Sequence, residues 1–206
     1  TTVLVSANTQ KAYDPDDDAF SNLPETRRLT VNPKVFFYPS TQTTYSFGVS
    51  ATLEEREGGD IQVLNDGVSA DRSFFETNTS RRLSSQARMD HQLTQDLGIT
   101  IKNSVSLFDS SIEVPDYRFE GQQVASYSEA SALMTRGLHQ ISIGLDMRSD
   151  AFREEAGPAG LKRDYTYTSV GLFAQDTWDY SDKAVVEAGV RIDRHNTFGS
   201  FVLPKA

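Results

Sequence analysis

Apolar and polar residues alternate along most of this chain with a period of two. In 184–193, the apolar residues are Ala184, Val186, Ala188, Val190 and Ile192, and the residues between them are mostly polar. Because successive side chains of a strand point to opposite faces, this pattern predicts a strand with one apolar and one polar face. Further strands are predicted at 2–10, 29–37, 43–56, 83–93, 97–108, 140–148 and 200–206, whereas 123–134 has no clear division into faces.

The connections between the predicted strands come in two sizes. Short polar turns are predicted near 39–43, 94–97, 135–138 and 180–183. Long segments rich in turn-forming and charged residues are predicted near 11–27, 54–80, 109–122 and 150–164. Since the two sizes strictly alternate, a meander of these strands has all its short turns at one end and all its long loops at the other, which is typical of an outer-membrane barrel.

The predicted fold is therefore all-β: a segment of an antiparallel up-and-down transmembrane β-barrel. It has about nine or ten strands, short periplasmic turns and long extracellular loops. In this interpretation the apolar face of each strand contacts lipid. The alternative is a soluble sandwich, in which the apolar face covers a protein core.

Composition narrows the possible functions. The 206 residues suffice for one large β domain, and the net charge of -9 argues against a nucleic-acid-binding surface. The chain has no cysteine, which excludes disulfides and thiolate metal sites within it. It shows no signal peptide and no apolar run of about 20 residues. Low mean hydropathy does not argue against a membrane barrel, because only every second residue of its strands is apolar.

Charged and aromatic residues are placed as a barrel requires. The charged residues within strands fall on the polar face, where water or oppositely charged neighbours can accommodate them: Lys34, Arg88, Asp90, Lys102, Asp146, Arg148, Glu187, Arg191 and Asp193. Aromatic residues gather beside the first and last short turns: Phe36, Phe37, Tyr38, Tyr45, Phe47, Trp178 and Tyr180. They suit a girdle at the membrane interface, and ordinary strand propensity is the alternative explanation.

Two segments near the end of the chain resemble a barrel hairpin of TonB-dependent outer-membrane receptors. They are "GLFAQDTWDYSDKAVVEAGVRID" (171–193) and "FGSFVLPKA" (198–206). The residues that carry the resemblance are Gly171, Phe173, Gln175, Trp178, Asp182, Lys183, Gly189, Arg191, Asp193, Pro204 and Lys205. Residues 12–40 and "EREGGD" (55–60) are similar to the same family as found in Bacteroidetes-type bacteria.

The resemblance implies a receptor in the bacterial outer membrane that imports a scarce large nutrient, such as an iron–siderophore complex or a corrinoid. Family members have a barrel of about 22 strands with a plug inside it. The implied partners are outer-membrane lipid, the protein's own plug domain, TonB through the plug, and a small-molecule metal chelate as substrate; no cofactor and no nucleic acid are implied. A passive porin-like or structural outer-membrane barrel and a soluble secreted β-rich binding module are the alternatives.

No plug-like stretch or TonB box is recognisable in the chain. We therefore interpret residues 1–206 as a partial receptor barrel domain, with the plug and the TonB box outside it. We expect that this segment alone does not transport a substrate, because open sheet edges leave unpaired backbone groups in lipid.

The sequence carries no signature of an enzyme. Its three histidines, His91, His139 and His195, are scattered without partners at metal-ligand or catalytic spacing. It has neither a phosphate-binding loop nor a Gly-x-Ser-x-Gly motif. The segment "DPDDD" places Asp14, Asp16, Asp17 and Asp18 together, and Asp14, Asp16 and Asp18 form a weak Ca²⁺ candidate, but a solvated loop is the preferred interpretation.

Five glycines lie inside predicted strands, all on the polar face: Gly48, Gly98, Gly144, Gly171 and Gly189. Glycine weakens a strand, so its position calls for a bend or for the close approach of another group. Either these glycines relieve curvature in the sheet, or they form a wall against which a plug packs.

Candidate ligand-binding residues lie in or beside the long segments: Arg56, Arg72, Phe74, Phe75, Tyr117, Arg118, Phe119, Lys162 and Arg163. Arginines combined with aromatic rings suit an anionic, partly aromatic chelate. Ordinary loop composition is the alternative explanation.

Overall fold

Ten antiparallel strands form a single sheet in the computed structural model, which describes residues 1–157 and 162–205. The strands are β1 (Thr2–Gln10), β2 (Glu25–Ser40), β3 (Thr43–Gly59), β4 (Phe75–Thr94), β5 (Leu97–Val114), β6 (Tyr117–Arg136), β7 (His139–Ala156), β8 (Tyr165–Ser181), β9 (Ala184–His195) and β10 (Gly199–Lys205), and one short helix, α1 (Ile61–Asp66), lies between β3 and β4. Each strand pairs only with its neighbours in sequence. Residues 158–161 of the predicted 150–164 loop, and Ala206 of the last predicted strand, lie outside the described residues.

The strand register confirms the predicted division into two faces. Side chains of directly opposed residues share a face, and one such row is entirely apolar or aromatic: Phe37, Tyr45, Met89, Ile101, Ala130, Leu145, Leu172, Ile192 and Val202. The next row along the strands lies on the opposite face and contains Arg88, Lys102, Glu129, Asp146 and Asp193. We call these the apolar face and the polar face. All nine charged residues that the sequence pattern assigns to the polar side lie on the polar face.

No second protein layer covers the apolar face in the part of the chain that the structure describes. Leu145 is 55% exposed and Leu172 61% exposed, and Val63 of α1 is the one buried hydrophobic residue in the described part of the chain. A soluble sandwich would bury these side chains between two sheets. The sandwich alternative is therefore wrong, and the apolar face is available to lipid.

The connections differ from the prediction at one end of the sheet. At what we call the turn end, every connection has two residues: 41–42, 95–96, 137–138 and 182–183. At the loop end, 11–24 and 60–74 are long, but Pro115 and Asp116 alone join β5 to β6, and residues 196–198 join β9 to β10. The predicted long segment at 109–122 is wrong, and so is the strict alternation of short and long connections.

The error at 109–122 has a physical cause. Beyond the bilayer, polar side chains on both faces of a hairpin are solvated, so the backbone ladder continues although the apolar alternation has ended. Asp116 turns the chain with a φ of 63°, a conformation that Asp tolerates. β4 and β6 thus reach 20 residues each, whereas a strand crosses a bilayer with about 9–11 residues.

The apolar face becomes charged toward the loop end, where Arg81, Asp109 and Arg153 stand in one row. The strands therefore extend past the apolar band into water at this end. No helix in the described ranges is long and apolar enough to cross a membrane.

The aromatic residues beside the first short turn divide between the two faces. Phe37, Tyr45 and Phe47 lie on the apolar face, but Phe36 and Tyr38 alternate with them and lie on the polar face. The girdle interpretation was therefore wrong for Phe36 and Tyr38. At the last turn Trp178 lies on the apolar face and contacts Tyr180 edge to face, with ring centroids 4.9 Å apart.

Candidate ligand-binding surface at the loop end

A continuous series of aromatic side chains crosses β6 to β9 on the polar face near the loop end. We call it the aromatic ladder; it comprises Phe119, Phe152, Tyr165, Tyr167, His195 and Phe198. Its successive ring centroids are 6.3, 5.8, 4.7, 5.5 and 4.7 Å apart. The register produces it, because Phe152 stands directly opposite Tyr165 and because Tyr165 and Tyr167, two residues apart, share a face.

Polar groups border the aromatic ladder. Gln123 donates from Nε2 to Asp150 Oδ1 at 2.9 Å and to the Tyr165 hydroxyl at 3.3 Å. The guanidinium of Arg163 lies over the Phe119 ring, 5.3 Å from its centroid. The surface thus combines aromatic area with an amide, a carboxylate and a cation, which are groups that can contact an organic ligand.

The two long loops at the loop end, 11–24 and 60–74, are joined into one unit that we call the loop clasp. Ser21 N donates to Gly59 O and Ile61 N donates to Ala19 O, both at 2.9 Å. The Phe20 and Phe74 rings contact each other with centroids 6.1 Å apart. The two loops are far apart in sequence but form a single folded structure at the loop end of β2 to β4.

Asp60 is the central charged group of the loop clasp. It is buried, caps α1 by accepting from Gln62 N at 2.8 Å, and accepts from Arg72 Nη1 at 2.9 Å. Burial alone would raise the pKa of Asp60, but the hydrogen bonds from Gln62 and Arg72 outweigh it and hold the pKa below its usual value. The clasp is thus stabilised by the ionised carboxylate.

This pKa shift predicts a pH-dependent clasp. Because the folded-state pKa is lowered, the contribution of Asp60 is fully present above the unfolded pKa of about 3.9 and is lost as pH falls through the folded value. We expect faster amide hydrogen exchange of α1 relative to β5 when pH falls from 5 toward 3, after correction for intrinsic exchange. Asp60→Asn should exchange fast throughout this range, and equal pH dependence in both proteins would contradict the assignment.

An ion network occupies the middle of the polar face. Asp146, which is 1% exposed, accepts from Arg191 Nη1 at 2.6 Å, and its Oδ1 lies 3.5 Å from Arg148 Nε. Arg191 also contacts Asp193 at 2.7 Å. Lys102 donates to Glu129 at 2.8 Å in the same row. The charged side chains of this network therefore neutralise one another within the sheet.

Neighbouring side chains fill the space beside two of the strand glycines. A Cβ on Gly144 would lie 2.5 Å from the Phe173 ring, and one on Gly171 would collide with the Arg191 guanidinium. These glycines make room for side chains of the barrel itself. Around Gly48 the nearest atoms are 3.6 Å away, so a side chain fits there. A plug-facing wall formed by Gly48, Gly98, Gly144, Gly171 and Gly189 remains a prediction.

The nine predicted ligand-binding residues separate into different places. Arg56, Tyr117 and Phe119 lie on the polar face, whereas Phe75 and Arg118 lie on the opposite face, and Arg118 pairs with Glu120. The others lie in the loops: Arg72 and Phe74 in the loop clasp, Arg163 over the aromatic ladder, and Lys162 exposed. Their role in ligand binding remains a prediction.

The three aspartates of the weak calcium candidate are close together. The carboxylates of Asp14, Asp16 and Asp18 have oxygens within 4.8 Å of one another. Asp14 Oδ2 accepts from Ala19 N and Asp18 Oδ1 from Phe20 N, so these carboxylates also shape the loop. Exposed acidic loops commonly have this geometry without binding an ion, and the preferred interpretation stays a solvated loop.

Sequence reasoning missed most of the aromatic ladder. Phe152, Tyr165, Tyr167 and Phe198 are not among the predicted ligand-binding residues, and the sequence shows no partner for His195. The sequence does show that Tyr165 and Tyr167, two residues apart in a strand, place their rings on one face. The other rings of the ladder are brought beside them by the strand register, which the sequence does not show.

Comparison with known proteins agrees with this architecture. A family model described as "TonB dependent receptor-like, beta-barrel" matches residues 7–206. No curated protein matches the chain. Three solved structures share its fold: the copper transporter OprC (11% identity, TM-score 0.74, covering 98% of this chain and 36% of OprC), the ferric-catecholate import receptor Fiu from E. coli K12 (10%, 0.64, 99% and 44%) and the ferric citrate transporter FecA (12%, 0.63, 98% and 37%). The chain spans less than half the length of each.

The single-layer sheet, its exposed apolar face and its polar opposite face define the wall of an outer-membrane β-barrel. Together with the family match over nearly the whole chain, they identify its family. The chain belongs to the TonB-dependent receptor β-barrel family, whose members are receptors and transporters of the bacterial outer membrane and not enzymes. In this family the polar face lines the barrel interior, the turn end is periplasmic and the loop end is extracellular.

Proposed function

We propose that these residues form part of the wall and the outer ligand-binding surface of a receptor that imports a scarce large nutrient, such as an iron–siderophore complex or a corrinoid. In this proposal the nutrient is captured at the loop end, and a plug domain outside these residues couples its release to TonB. In this proposal the substrate is a metal chelate.

The aromatic ladder carries the proposal. Its rings face the barrel interior at the extracellular end, where an incoming ligand first meets the wall. Arg163 and Gln123 supply a cation and an amide beside it, which suits an anionic and partly aromatic chelate. Receptors of similar fold are described as transporting a ferric catecholate, ferric citrate and copper, which favours a metal-bearing substrate.

A double substitution in the complete receptor tests this surface. We expect Phe152→Ala with Tyr165→Ala to weaken binding of the transported chelate by about tenfold or more, because each truncation removes aromatic contact area. Binding and uptake would be measured with labelled ferric citrate, a labelled ferric catecholate and labelled cyanocobalamin. Phe75→Ala is the matched control, since Phe75 lies at the same end on the opposite face and should leave binding unchanged.

Energy dependence separates active import from a passive pore. We expect uptake of the bound probe to stop when the proton gradient is dissipated or when TonB is deleted, while binding at the cell surface persists. Uptake that continues in both conditions would contradict the proposal, and so would failure of all three probes to bind.

A further inference from the structure

A cavity lies between the loop clasp and the strands β3 and β4, away from the aromatic ladder. It has a volume of about 330 Å³ and is lined by Phe20, Phe74, Arg56, Glu76, Asn78 and the backbone of Gly58, among others. We call it the clasp pocket. Its volume falls at the lower end of the range for small-molecule sites, about 300–1,000 Å³. Two parts of the molecule line it: the polar face of β3 and β4, and the joined loops 11–24 and 60–74.

The pocket carries a cation that the protein only partly neutralises. Arg56 Nε lies 2.6 Å from Glu54 Oε1 in an ion pair, and Arg28 pairs with the other oxygen of the same carboxylate. Two guanidinium groups thus share the single carboxylate of Glu54, so Glu54 alone does not neutralise Arg56. Within residues 1–157 and 162–205, Glu54 is the one carboxylate in ion-pair contact with Arg56, whose side chain is 46% exposed. Its terminal nitrogens are therefore available to an incoming carboxylate.

The rest of the pocket is shaped for an apolar body. The Phe20 and Phe74 rings meet at 52°, and together they form an apolar corner. Gly58 and Gly59 contribute only backbone to the lining, and a Cβ on Gly59 would lie 2.8 Å from the Phe74 carbonyl oxygen. The backbone φ of 123° at Gly59 also disfavours any other residue, so the pocket wall requires glycine there.

Glu76 sets a limit on ligand charge. It lies on the same face as Arg56, opposite Gly58 in the strand register, and is exposed at the pocket. A ligand with one carboxylate can pair with Arg56, but a second carboxylate would face the like charge of Glu76. The pocket therefore favours monoanions over dianions.

We infer that the clasp pocket binds a small organic monocarboxylate with an apolar or aromatic body. Arg56 holds the carboxylate, Phe20 and Phe74 contact the body, and Glu76 excludes a second negative charge. This site goes beyond the proposed capture surface, because it shares no residue with the aromatic ladder.

Calorimetry on the complete, detergent-purified receptor tests the inference with three probes that share one phenyl body. We expect 3-phenylpropionate to bind, and the neutral 3-phenylpropanol and the dianionic benzylmalonate to bind at least tenfold more weakly. Arg56→Gln should weaken 3-phenylpropionate binding about tenfold or more, because a charge-assisted bidentate contact is lost. Arg163→Gln, which removes the cation of the aromatic ladder, should leave this binding unchanged.

Two further variants distinguish the loss of a ligand contact from misfolding of the receptor. Arg56→Lys keeps the positive charge but loses the planar guanidinium, so it should retain part of the affinity for 3-phenylpropionate. Glu76→Gln removes the negative charge, so it should improve binding of benzylmalonate relative to 3-phenylpropionate. Absence of 3-phenylpropionate binding to the unmodified receptor, equal binding of the neutral alcohol, or an unchanged affinity in Arg56→Gln would each overturn the inference. The capture surface is judged separately, by the Phe152 and Tyr165 variants.

Discussion

Replacing Asp146 by alanine is expected to destabilise the folded barrel by about 3–5 kcal/mol, near the lower end of that range because Asp193 remains as a partner. Asp146 is almost fully buried and accepts from both terminal nitrogens of Arg191, at 2.6 and 3.0 Å. Removing its carboxylate leaves the Arg191 guanidinium with one partner in place of two. The loss would be measured as the change in unfolding free energy of the complete receptor, refolded into vesicles and titrated with urea.

Asp90→Ala is the matched control for this prediction. Asp90 forms an ion pair with Arg88 at 2.6 Å on the same face, but the two side chains are 39% and 52% exposed. Exposed ion pairs contribute about 0–1 kcal/mol, so the control should lose far less stability. If both variants lost the same amount, burial of Asp146 would not be what determines the effect.

The second large effect concerns the apolar face. Leu145→Arg places a guanidinium in the apolar row and should reduce stability by about 2–4 kcal/mol, the cost of arginine near the middle of the bilayer. Ser142→Arg is the control, because Ser142 lies on the same strand but on the polar face, where the barrel interior accommodates charge. Both variants would be followed by assembly yield in the outer membrane and by urea unfolding in vesicles.

Equal tolerance of the two arginines would contradict the assignment of the faces. A lower yield for Ser142→Arg than for Leu145→Arg would reverse it. The comparison is sharp because both substitutions add the same side chain to β7, only three residues apart, and on opposite faces of the strand.

The two faces could be predicted from the sequence because alternation is a direct consequence of strand geometry. Once Lys34 was placed on the polar face, the same alternation also required Phe36 and Tyr38 to lie there. The girdle interpretation failed for these two residues because it counted aromatics near a turn without following their parity. Strand alternation was therefore sufficient to assign the faces of these residues, whereas the clustering of aromatic residues near a turn was not.

The outer part of the molecule could not be predicted in the same way. Residues 109–122 lose the apolar alternation but keep their backbone pairing, and a pattern of side chains does not report a backbone ladder. The loop clasp depends on hydrogen bonds between residues 19–21 and 59–61, which are distant in sequence. The aromatic ladder likewise requires a register that joins Phe152 to Tyr165 and brings His195 beside Tyr167.

The strictly sequential order of the strands has a consequence for how the protein assembles. Every pairing joins segments separated by one connection, so the entropic cost of loop closure stays small at each step. In such a topology few contacts join residues that are distant in sequence, which favours fast folding. The two-residue periplasmic connections also favour early hairpin formation. Insertion can therefore proceed one hairpin at a time, each arriving hairpin satisfying the exposed backbone edge left by its predecessor.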